Sequence, residues 1–309
     1  MAATIFIDGE AGTTGLQIRE KLADVSGVEL VSLPSEARKD AAAKQKLYGQ
    51  VDVVILCLPD EAAKEAARLI DAMGARGPRV IDASSAHRVA PGWTYGFPEM
   101  APGQEEAIAL ARKVSNPGCH ATGAVAILRP LVDAGLMAKD AAVSIGSVSG
   151  YSGGGRSMIE AFESGRAPAF ELYALALEHK HMPEIERYCG LTTRPIFLPS
   201  VGNFRQGMLV SAPLHLDTLP GKPRGADLID AFEKHYRGRK YFLIPRATAG
   251  RMEPESLNGT NDIEIRVFVN EARRQALVVA KFDNLGKGAS GAAAQNLMLM
   301  LGREGLKAA

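Results

Sequence analysis

The stretch TIFIDGEAGTTGLQIREKL, residues 4–22, decides the fold class predicted for this chain of 309 residues. It begins with a short apolar run, passes through a turn that contains Gly9, Gly12 and Gly15, and ends in a segment with apolar residues at helical spacing. A strand, a glycine-rich turn and a helix in this order are typical of a dinucleotide-binding domain, because glycine permits the tight turn and the helix N-terminus presents free amides to a pyrophosphate. The spacing is G-x-x-G-x-x-G instead of the commoner G-x-G-x-x-G, so a tight turn without a ligand stays an alternative.

The rest of the first 118 residues repeats this alternation of strand and helix. Three more apolar runs have the length of strands: 28–33, 51–58 and 79–83. Helices are predicted at 36–47 and from Asp60, which has the residue type of an N-cap. Repeated βα units predict right-handed crossovers and a doubly wound α/β domain over residues 1–118.

The pattern changes in the second part of the chain. A helix is predicted over 121–134, and the alternating segment 262–270 is followed by 276–282 after a short polar turn, which predicts an antiparallel hairpin. We therefore expect an α+β catalytic and oligomerisation domain over residues 119–287, with a mostly antiparallel sheet. A last helix, at about 288–309, is expected to pack back on the first domain.

The residues after the second predicted strand distinguish NAD from NADP. The stretch LPSEARKD, residues 33–40, places Ser35, Arg38 and Lys39 around Glu36. An acidic residue at this point would bind the ribose hydroxyls, whereas basic and hydroxyl groups would bind a 2′-phosphate. The stretch therefore favours NADP(H), with Ser35 and Arg38 as the candidate contacts. A solvated helix start of mixed charge is the alternative.

The stretch NPGCHATG, residues 116–123, contains the strongest candidate for a nucleophile. Pro117 and Gly118 predict a turn, so Cys119 is expected at the start of the following helix. The partial positive charge of a helix N-terminus stabilises a thiolate and lowers the pKa of the thiol. The other two cysteines, Cys57 and Cys189, are interpreted as unreactive core residues.

A nucleophilic thiol needs a group that exchanges protons near neutral pH, and histidine does so. His179 and His181 lie together in EHKHMPEIE, residues 178–186, with Glu184 close behind to orient an imidazole. The sequence does not choose between the two histidines. An H-x-H pair could also bind a metal, but no cysteine or third histidine lies nearby in the sequence, so no metal site is predicted.

Two polar stretches are candidate anion sites. Ser84 and Arg88 belong to the group SSAHR after the fourth predicted strand, where an open α/β sheet places its ligand-binding loops. Ser149, Ser152 and Arg156 are expected in one glycine-rich loop of hydroxyls, amides and a guanidinium. Each stretch could bind a phosphate or a carboxylate, and a plain polar surface loop is the alternative for both.

Composition excludes several classes of protein. Lysine and arginine number 36 against 35 aspartates and glutamates, so no basic excess indicates a nucleic-acid partner. The longest apolar run is strand-sized and no stretch resembles a signal peptide, so we expect neither a membrane span nor secretion. Three cysteines far apart argue against a disulfide framework and for a reducing, cytoplasmic location. The classes that remain are a soluble enzyme and a protein that binds a small molecule.

Six motifs together resemble one enzyme family in order and spacing: GEAGTTG, VIDASSAHR, NPGCHATG, SGYSGGGR, EHKHMPEIE and DNLGKGASGAAAQN. The chain resembles the shorter type of the N-acetyl-γ-glutamyl-phosphate reductases of arginine biosynthesis, from Thr4 to about Leu301. The cysteine and histidine motifs are the most specific elements. The wider relationship is to the aspartate-semialdehyde dehydrogenases and, more distantly, to the glyceraldehyde-3-phosphate dehydrogenases.

The resemblance implies reduction of the acyl phosphate N-acetyl-γ-glutamyl phosphate by NADPH to N-acetylglutamate semialdehyde, with release of phosphate and a thioester on Cys119. It also implies acid/base catalysis by His179 or His181, and binding of the leaving phosphate by Arg88 and Asn116. For the cofactor, it implies that Thr13 and Thr14 bind the pyrophosphate and that Asn284 lies near the nicotinamide. The motif SGYSGGGR departs from the longer type, which more often has an alanine among the glycines, so the side-chain roles there stay open. A homo-oligomer, dimer or tetramer, with the antiparallel sheet as interface, is implied as well.

Three alternatives fit part of the sequence. An aspartate-semialdehyde dehydrogenase or another acyl-phosphate reductase would share the fold and the cysteine but differ in the substrate loops around 149–156. A non-catalytic NADP-binding sensor would keep the glycine turn without needing Cys119 or the paired histidines. A cysteine hydrolase that used Cys119 and His181 would leave the dinucleotide-type first domain unexplained.

Overall fold

The computed structural model describes residues 2–246 and 250–303. The described residues divide into two compact units. One comprises the residues up to Pro98, residues 102–118 and the residues from 289 onward, and the other comprises Glu99–Ala101 and Cys119–Gly288. Apart from the short segment Glu99–Ala101, the chain therefore passes from the first unit to the second between Gly118 and Cys119 and returns after Gly288.

The first unit contains a sheet of parallel strands. Within the described residues they are β1 (Ala3–Asp8), β2 (Val28–Val31), β3 (Val53–Leu56), β4 (Arg79–Asp82), β5 (Thr94–Tyr95) and β6 (Lys113–Ser115). The helices that connect them are α1 (Thr13–Leu22), α2 (Ala41–Tyr48), α3 (Asp60–Asp71) and α4 (Gln104–Leu110). The order in the sheet is β2-β1-β3-β4-β6-β5. Because β1 lies between β2 and β3, the strand order reverses at β1, where an open α/β sheet binds its ligand.

Both faces of this sheet are covered, which is why its strands are continuously apolar. Alternate residues of β3 face opposite sides and belong to two separate buried clusters. Ile18 of α1 and Ile108 of α4 pack in one cluster, and Tyr48 of α2 and Ile70 of α3 pack in the other. The predicted doubly wound α/β architecture is confirmed.

The second unit contains a mixed sheet. Its strands within the described residues are β7 (Ser144–Gly150), β8 (Phe170–Leu172), β9 (Ile196–Gly202), β10 (Met208–His215), β11 (Phe242–Leu243), β12 (Ile263–Asn270) and β13 (Gln275–Phe282). They are ordered β11-β12-β13-β10-β7-β9-β8. The helices are α5 (Cys119–Asp133), α6 (Gly155–Glu163), α7 (Met182–Cys189) and α8 (Gly225–His235).

The sheet of the second unit is mostly antiparallel, as predicted. The hairpin of β12 and β13 pairs Ile263 with Phe282 and Asn270 with Gln275. Two pairs are parallel instead, β7 with β9 and β11 with β12. The prediction of an α+β second part is confirmed with this refinement.

Two local predictions in the first unit are wrong. The predicted helix 36–47 is divided into a 3-10 turn at Ser35–Ala37 and α2, because the Asp40 carboxylate accepts a hydrogen bond from the Ala42 amide at 2.9 Å and caps a new helix. Asp60 is the first residue of α3 and not its N-cap. Its carboxylate accepts hydrogen bonds from the amide and hydroxyl of Ser85 instead.

The last described helix, α9 (Gly291–Met300), belongs to the first unit. Ala293 and Leu297 are fully buried in the same cluster as Ile18 of α1. The helix expected at about 288–309 also included 304–309, which lie outside the described residues. No helix among residues 2–246 and 250–303 combines the length and hydropathy needed to cross a bilayer.

Candidate active site

Cys119 is the first residue of α5, two residues before the predicted start of that helix. Its thiol therefore lies where the aligned peptide dipoles of α5 favour a negative charge. Gly288 packs directly against it, since a Cβ added there would lie 2.9 Å from the Cys119 Cβ. The Gly288 amide donates to the carbonyl of Asp283 at 3.0 Å, which closes the π-helical turn Gly286–Ser290 over the cysteine. Only glycine leaves room for this close approach.

The other two cysteines are held as neutral thiols. Burial raises the pKa of Cys57 to about 12, and the nearby carboxylates of Asp82 and Asp8 add to the effect. Burial likewise raises the pKa of Cys189, which lies at the end of α7 and is fully buried. Both groups stay protonated and unreactive at neutral pH.

Three histidines of the second unit lie together. The ring centroids of His179 and His181 are 4.7 Å apart, and the ring of His120, the residue after Cys119, lies 5.4 Å and 5.5 Å from them. The ring of Phe197 on β9 contacts His120 and His179 edge-on. Folding thus brings the HKH motif, about 60 residues away in sequence, to the start of α5.

His120 is the centre of a buried chain of hydrogen bonds. Its Nδ1 lies 2.7 Å from the Ser147 hydroxyl, and its Nε2 lies 2.7 Å from the Tyr173 hydroxyl. Burial lowers the pKa of His120 to about 3, and the positive charges of His179 and Lys180 add to this. Burial and then the charge of the Cys119 thiolate raise the pKa of Tyr173. The three hydrogen-bonded side chains are therefore uncharged at pH 7, and Tyr173 lies close enough to Cys119 for the charge of the thiolate to affect its pKa.

The two motif histidines are held differently. The Nδ1 of His179 accepts a hydrogen bond from the His181 amide at 3.1 Å, so this nitrogen is committed to the backbone. His181 immediately precedes α7, and its Nε2 lies 3.9 Å from the carboxylate of Glu184. Both His181 and Glu184 are buried. A buried carboxylate at this distance can orient the imidazole of His181.

The segment between Tyr173 and His179 has a strained backbone. Ala174 and Leu177 have φ angles of +54° and +60°, in the left-handed region that glycine favours. Residues in this region cost free energy and are found where the surrounding structure imposes them, often near functional sites. Here they lie where the chain turns between β8 and α7, and the two ends of this segment, Tyr173 and His179, both contact the ring of His120.

Arg88 and Asn116 are in contact in the first unit. The Arg88 Nε donates to the carbonyl oxygen of Asn116 at 3.1 Å, and both residues are buried. The Asn116 side chain donates to the carbonyl of Ala289 at 2.9 Å, and its oxygen accepts from Asn296 of α9 at 3.1 Å. These bonds fix the position of the turn that precedes Cys119.

The three residues expected in one loop after β7 are dispersed over three elements. Ser149 lies within β7, because pairing with both β9 and β10 extends that strand to Gly150. Ser152 lies in a 3-10 turn, where its hydroxyl accepts from the Asn284 amide at 3.0 Å. Arg156 is on α6, highly exposed, and pairs with Glu160 of its own helix at 2.8 Å. The prediction of a single loop is wrong, but Ser149 and Ser152 both lie near Asn284: a Cβ added at Gly153 would be 2.8 Å from the Ser149 hydroxyl and 3.4 Å from the Asn284 amide.

The glycine turn after β1 has the shape of a phosphate cradle. Gly9 has a φ of +93°, and a Cβ there would lie 2.3 Å from the carbonyl oxygen of Cys57. A Cβ on Gly15 would lie 2.4 Å from the carbonyl oxygen of Gly9. Gly12 is the N-cap of α1 and has no side chain that could accept a hydrogen bond. The first turn of the helix, with the amides of Thr13 and Thr14, therefore has no side-chain cap. The turn therefore fits a pyrophosphate.

The predicted contacts of the 2′-phosphate do not lie in one group. The Ser35 hydroxyl bonds to Glu36 at 3.0 Å, whereas the Arg38 guanidinium lies 2.9 Å from the carboxylate of Glu10. Ser84 comes two residues after β4 and is buried, and its amide and hydroxyl donate to the Asp82 carboxylate at 2.9 Å and 2.7 Å. The hydroxyl of Ser84 is thus directed at the carboxylate of the last residue of β4.

Comparisons with known proteins agree with this architecture. Residues 5–109 match the model of the semialdehyde dehydrogenase NAD binding domain, and residues 119–284 match that of the semialdehyde dehydrogenase dimerisation domain. Proteins named N-acetyl-γ-glutamyl-phosphate reductase are 52% identical over 97% of both chains in Burkholderia cenocepacia, and 51% identical over 97% of this chain and 99% of the relative in Chelativorans. This chain belongs to the N-acetyl-γ-glutamyl-phosphate reductase family. The predicted family is confirmed.

Solved structures extend the likeness of this reductase to the wider fold family. Aspartate semialdehyde dehydrogenase II from Vibrio cholerae, complexed with ASA, superposes with a TM-score of 0.75 over 97% of this chain and 98% of that chain at 15% identity. The aspartate semialdehyde dehydrogenase with NADP from Candida albicans superposes with a TM-score of 0.66 over 97% and 99% at 13% identity. At these identities the likeness concerns the fold.

Several residues of this reductase's site were missed by the sequence analysis. Tyr173 gave no signal, because nothing in its sequence neighbourhood pairs it with His120. Glu10 is the one acidic residue of the glycine turn, and this could have drawn attention to it. Among the described residues, no group of three or more histidine, cysteine, aspartate or glutamate side chains could hold a metal ion.

Proposed function

We propose that this chain reduces N-acetyl-γ-glutamyl phosphate to N-acetylglutamate semialdehyde with NADPH and releases phosphate, as a step of arginine biosynthesis. The observation that carries the proposal is Cys119 at the N-terminus of α5 with a cluster of histidines beside it. The enzyme is an oxidoreductase acting on an acyl phosphate. A non-catalytic sensor would have no use for this cysteine and histidine arrangement.

The first unit binds the cofactor in this proposal. The turn of Gly9, Gly12 and Gly15 with the amides of Thr13 and Thr14 would bind the pyrophosphate, and Arg38 the 2′-phosphate. Ser35, Ser84 and Asn284 stay candidate contacts. When bound, NADPH supplies the hydride that reduces the acyl group. Residues 1–118 with the C-terminal helix are the dinucleotide-binding domain in this proposal, and residues 119–287 are the catalytic and oligomerisation domain.

Cys119 begins the reaction as the nucleophile. Its thiolate sulfur forms a bond to the acyl carbon, the bond from that carbon to the phosphate oxygen breaks, and inorganic phosphate leaves with the bonding electrons. An acyl phosphate is already activated, so positioning and charge stabilisation are the main contributions of the protein. Arg88 and Asn116 are our candidates for the leaving phosphate, and Ser149, Ser152 and Arg156 for the rest of the substrate.

His181 is our choice for the acid/base. Glu184 lies beside His181 and can orient its imidazole, whereas the Nδ1 of His179 already accepts a hydrogen bond from a backbone amide. The protonated imidazole donates a proton to the oxyanion that reduction leaves on the thiohemiacetal, and the imidazole takes this proton back as the carbon–sulfur bond breaks. The aldehyde leaves, and the sulfur departs as the thiolate that starts the next cycle.

The apolar face of the second sheet is the proposed surface for self-association. Phe170, Leu172, Leu198 and Leu277 are between 38% and 56% exposed there and line a groove of about 640 Å³. Exposed apolar surface of this kind is typical of protein interfaces. We propose a homo-oligomer, dimer or tetramer, in the cytoplasm, where the three free cysteines stay reduced.

The test is the reverse reaction. Purified protein is mixed with N-acetylglutamate semialdehyde, NADP and phosphate, and NADPH formation is followed by absorbance. We expect oxidation that requires phosphate and exceeds the rate with aspartate semialdehyde. Oxidation without phosphate would contradict the acyl-phosphate chemistry, and a preference for aspartate semialdehyde would assign a different substrate.

A further inference from the structure

A buried carboxylate lies in the glycine turn of the first unit. Glu10 is only 7% exposed, and its Oε2 accepts hydrogen bonds from the Arg19 Nη1 and the Ser32 hydroxyl, both at 2.8 Å. Its Oε1 lies 2.9 Å from the Arg38 Nη2. We propose that Glu10 is a specificity-determining positioning residue that holds Arg19 and Arg38 in place for the 2′-phosphate of NADPH. This inference rests on the proposed use of NADPH.

The position of the cluster follows from the strand order. Glu10 comes just after β1, Ser32 comes directly after β2, and the two strands are parallel neighbours that pair Phe6 with Val31. Their carboxyl ends therefore meet at one edge of the sheet. In dinucleotide-binding sheets the end of the second strand is the point that distinguishes a ribose hydroxyl from a 2′-phosphate.

The guanidiniums face solvent while their anchor is buried. The side chains of Arg19 and Arg38 are 43% and 45% exposed, against 9% for that of Glu10. A guanidinium carries five N–H donors. The bonds described here use one nitrogen of Arg19 and one of Arg38, so each planar group presents further donors for the paired contacts that phosphate oxygens favour.

The net charge of the Glu10, Arg19 and Arg38 side chains is positive, so the cluster can still attract a phosphate although Glu10 is negative. Two guanidiniums and one carboxylate leave a net charge of +1 for a phosphate dianion to meet. Arginine side chains lose much rotamer freedom when they bind an anion, and Glu10 imposes that order before the cofactor arrives. Solvent and salt screen the repulsion between Glu10 and a phosphate on the exposed side of the guanidiniums. NADH has a hydroxyl at this position and gains little from the ordered arginines.

The experiment measures cofactor binding in the absence of substrate. Dissociation constants of NADPH and NADH are determined for the wild type and Glu10→Gln from the fluorescence of the reduced nicotinamide. We expect Glu10→Gln to weaken NADPH binding about tenfold and NADH binding less than about twofold, because charge-assisted contacts are lost for NADPH only. Glu29→Gln, which removes an exposed carboxylate of β2 three residues before Ser32, is the matched control and should change neither constant.

A double-mutant cycle with Arg38→Ala tests whether Glu10 acts through the arginine. We expect Glu10→Gln to cost clearly less in NADPH affinity in the Arg38→Ala background than in the wild type. Tighter NADPH binding by Glu10→Gln, equal losses for both cofactors, or additive effects in the cycle would each overturn the inference. A wild type that binds NADH as well as NADPH would instead contradict the proposed cofactor, so the two failures are distinguishable. Thermal unfolding of each variant checks that the fold is retained.

Discussion

The Tyr173 hydroxyl lies 2.7 Å from the Nε2 of the buried His120. Tyr173 follows β8, His120 belongs to the first turn of α5, and the Ser147 hydroxyl on β7 lies 2.7 Å from the other ring nitrogen. The contact joins three elements of the second unit next to the nucleophile. Since both ring nitrogens have partners, the orientation of the imidazole is fixed without a charge on it.

Removal of the Tyr173 hydroxyl should destabilise the protein. Tyr173→Phe leaves a buried nitrogen of His120 without its partner, which we expect to cost about 1–3 kcal/mol of unfolding free energy. Urea unfolding followed by circular dichroism measures the change. Tyr151→Phe is the control, because the ring of Tyr151 stacks on Phe162 and keeps that contact in the variant. Equal stability of Tyr173→Phe and the wild type would contradict the importance of this bond.

The neutral state of His120 predicts a pH dependence of stability. Its pKa is about 3 in the folded protein and about 6.5 in the unfolded chain, so the unfolded chain binds the extra proton between these values. The stabilising contribution is therefore complete above pH 6.5 and decreases as the pH falls toward 3, by about 1.4 kcal/mol per pH unit at most. Unfolding free energies of the wild type and His120→Asn at pH 7, 6, 5 and 4 measure it. The difference between the two proteins should shrink as the pH falls, and a constant difference would contradict the prediction.

Cys119 should be needed for turnover and not for cofactor binding. We expect Cys119→Ala to retain NADPH affinity and to lose nearly all reductase activity, because no other group supplies the nucleophile. Activity and binding are measured on the same preparation. Turnover near the wild-type rate would exclude the thioester mechanism.

Differential alkylation provides an independent check of the thiols. Iodoacetamide should modify Cys119 first, since burial keeps Cys57 and Cys189 protonated. Peptide mass spectrometry identifies the modified residue. Modification of Cys57 or Cys189 before Cys119 would contradict the placement of the reactive thiol at α5.

The two motif histidines should differ in their effect on kcat. His181→Asn is expected to lower kcat about 10²–10⁴-fold, as is typical for loss of an acid/base group, and to change the pH–rate profile. His179→Asn should lower kcat less and keep the profile, because its Nδ1 accepts from a backbone amide. The opposite ranking would assign the role to His179.

The apolar face of the second sheet should control the oligomeric state. Leu198→Asp places a charge among Phe170, Leu172 and Leu277, and we expect it to shift the protein toward the monomer in size-exclusion chromatography with light scattering. Leu110→Asp, on an exposed position of α4, is the control and should leave the elution unchanged. An unchanged mass for Leu198→Asp would place the interface elsewhere.

Local features of the site could be predicted because each depends on a few neighbouring residues. A proline and a glycine before Cys119 end the preceding segment, so the cysteine begins the helix, and the glycines after β1 permit a turn that side chains would block. Helix boundaries were less accurate. Asp40 and Asp60 are both residues of the capping type, and whether such a side chain caps a helix or bonds to a distant serine depends on tertiary contacts.

The amino-acid sequence by itself determined the α/β and α+β division, the family and the placement of Cys119, since periodicity and turn residues act over one or two helical turns. Only the tertiary structure decided which distant side chains meet: Tyr173 with His120, and Glu10 with Arg19, Ser32 and Arg38. These contacts depend on which strands become neighbours and on how the chain crosses between them. Strand order minimises the free energy of the whole sheet and its covering helices, and no short stretch of residues encodes it.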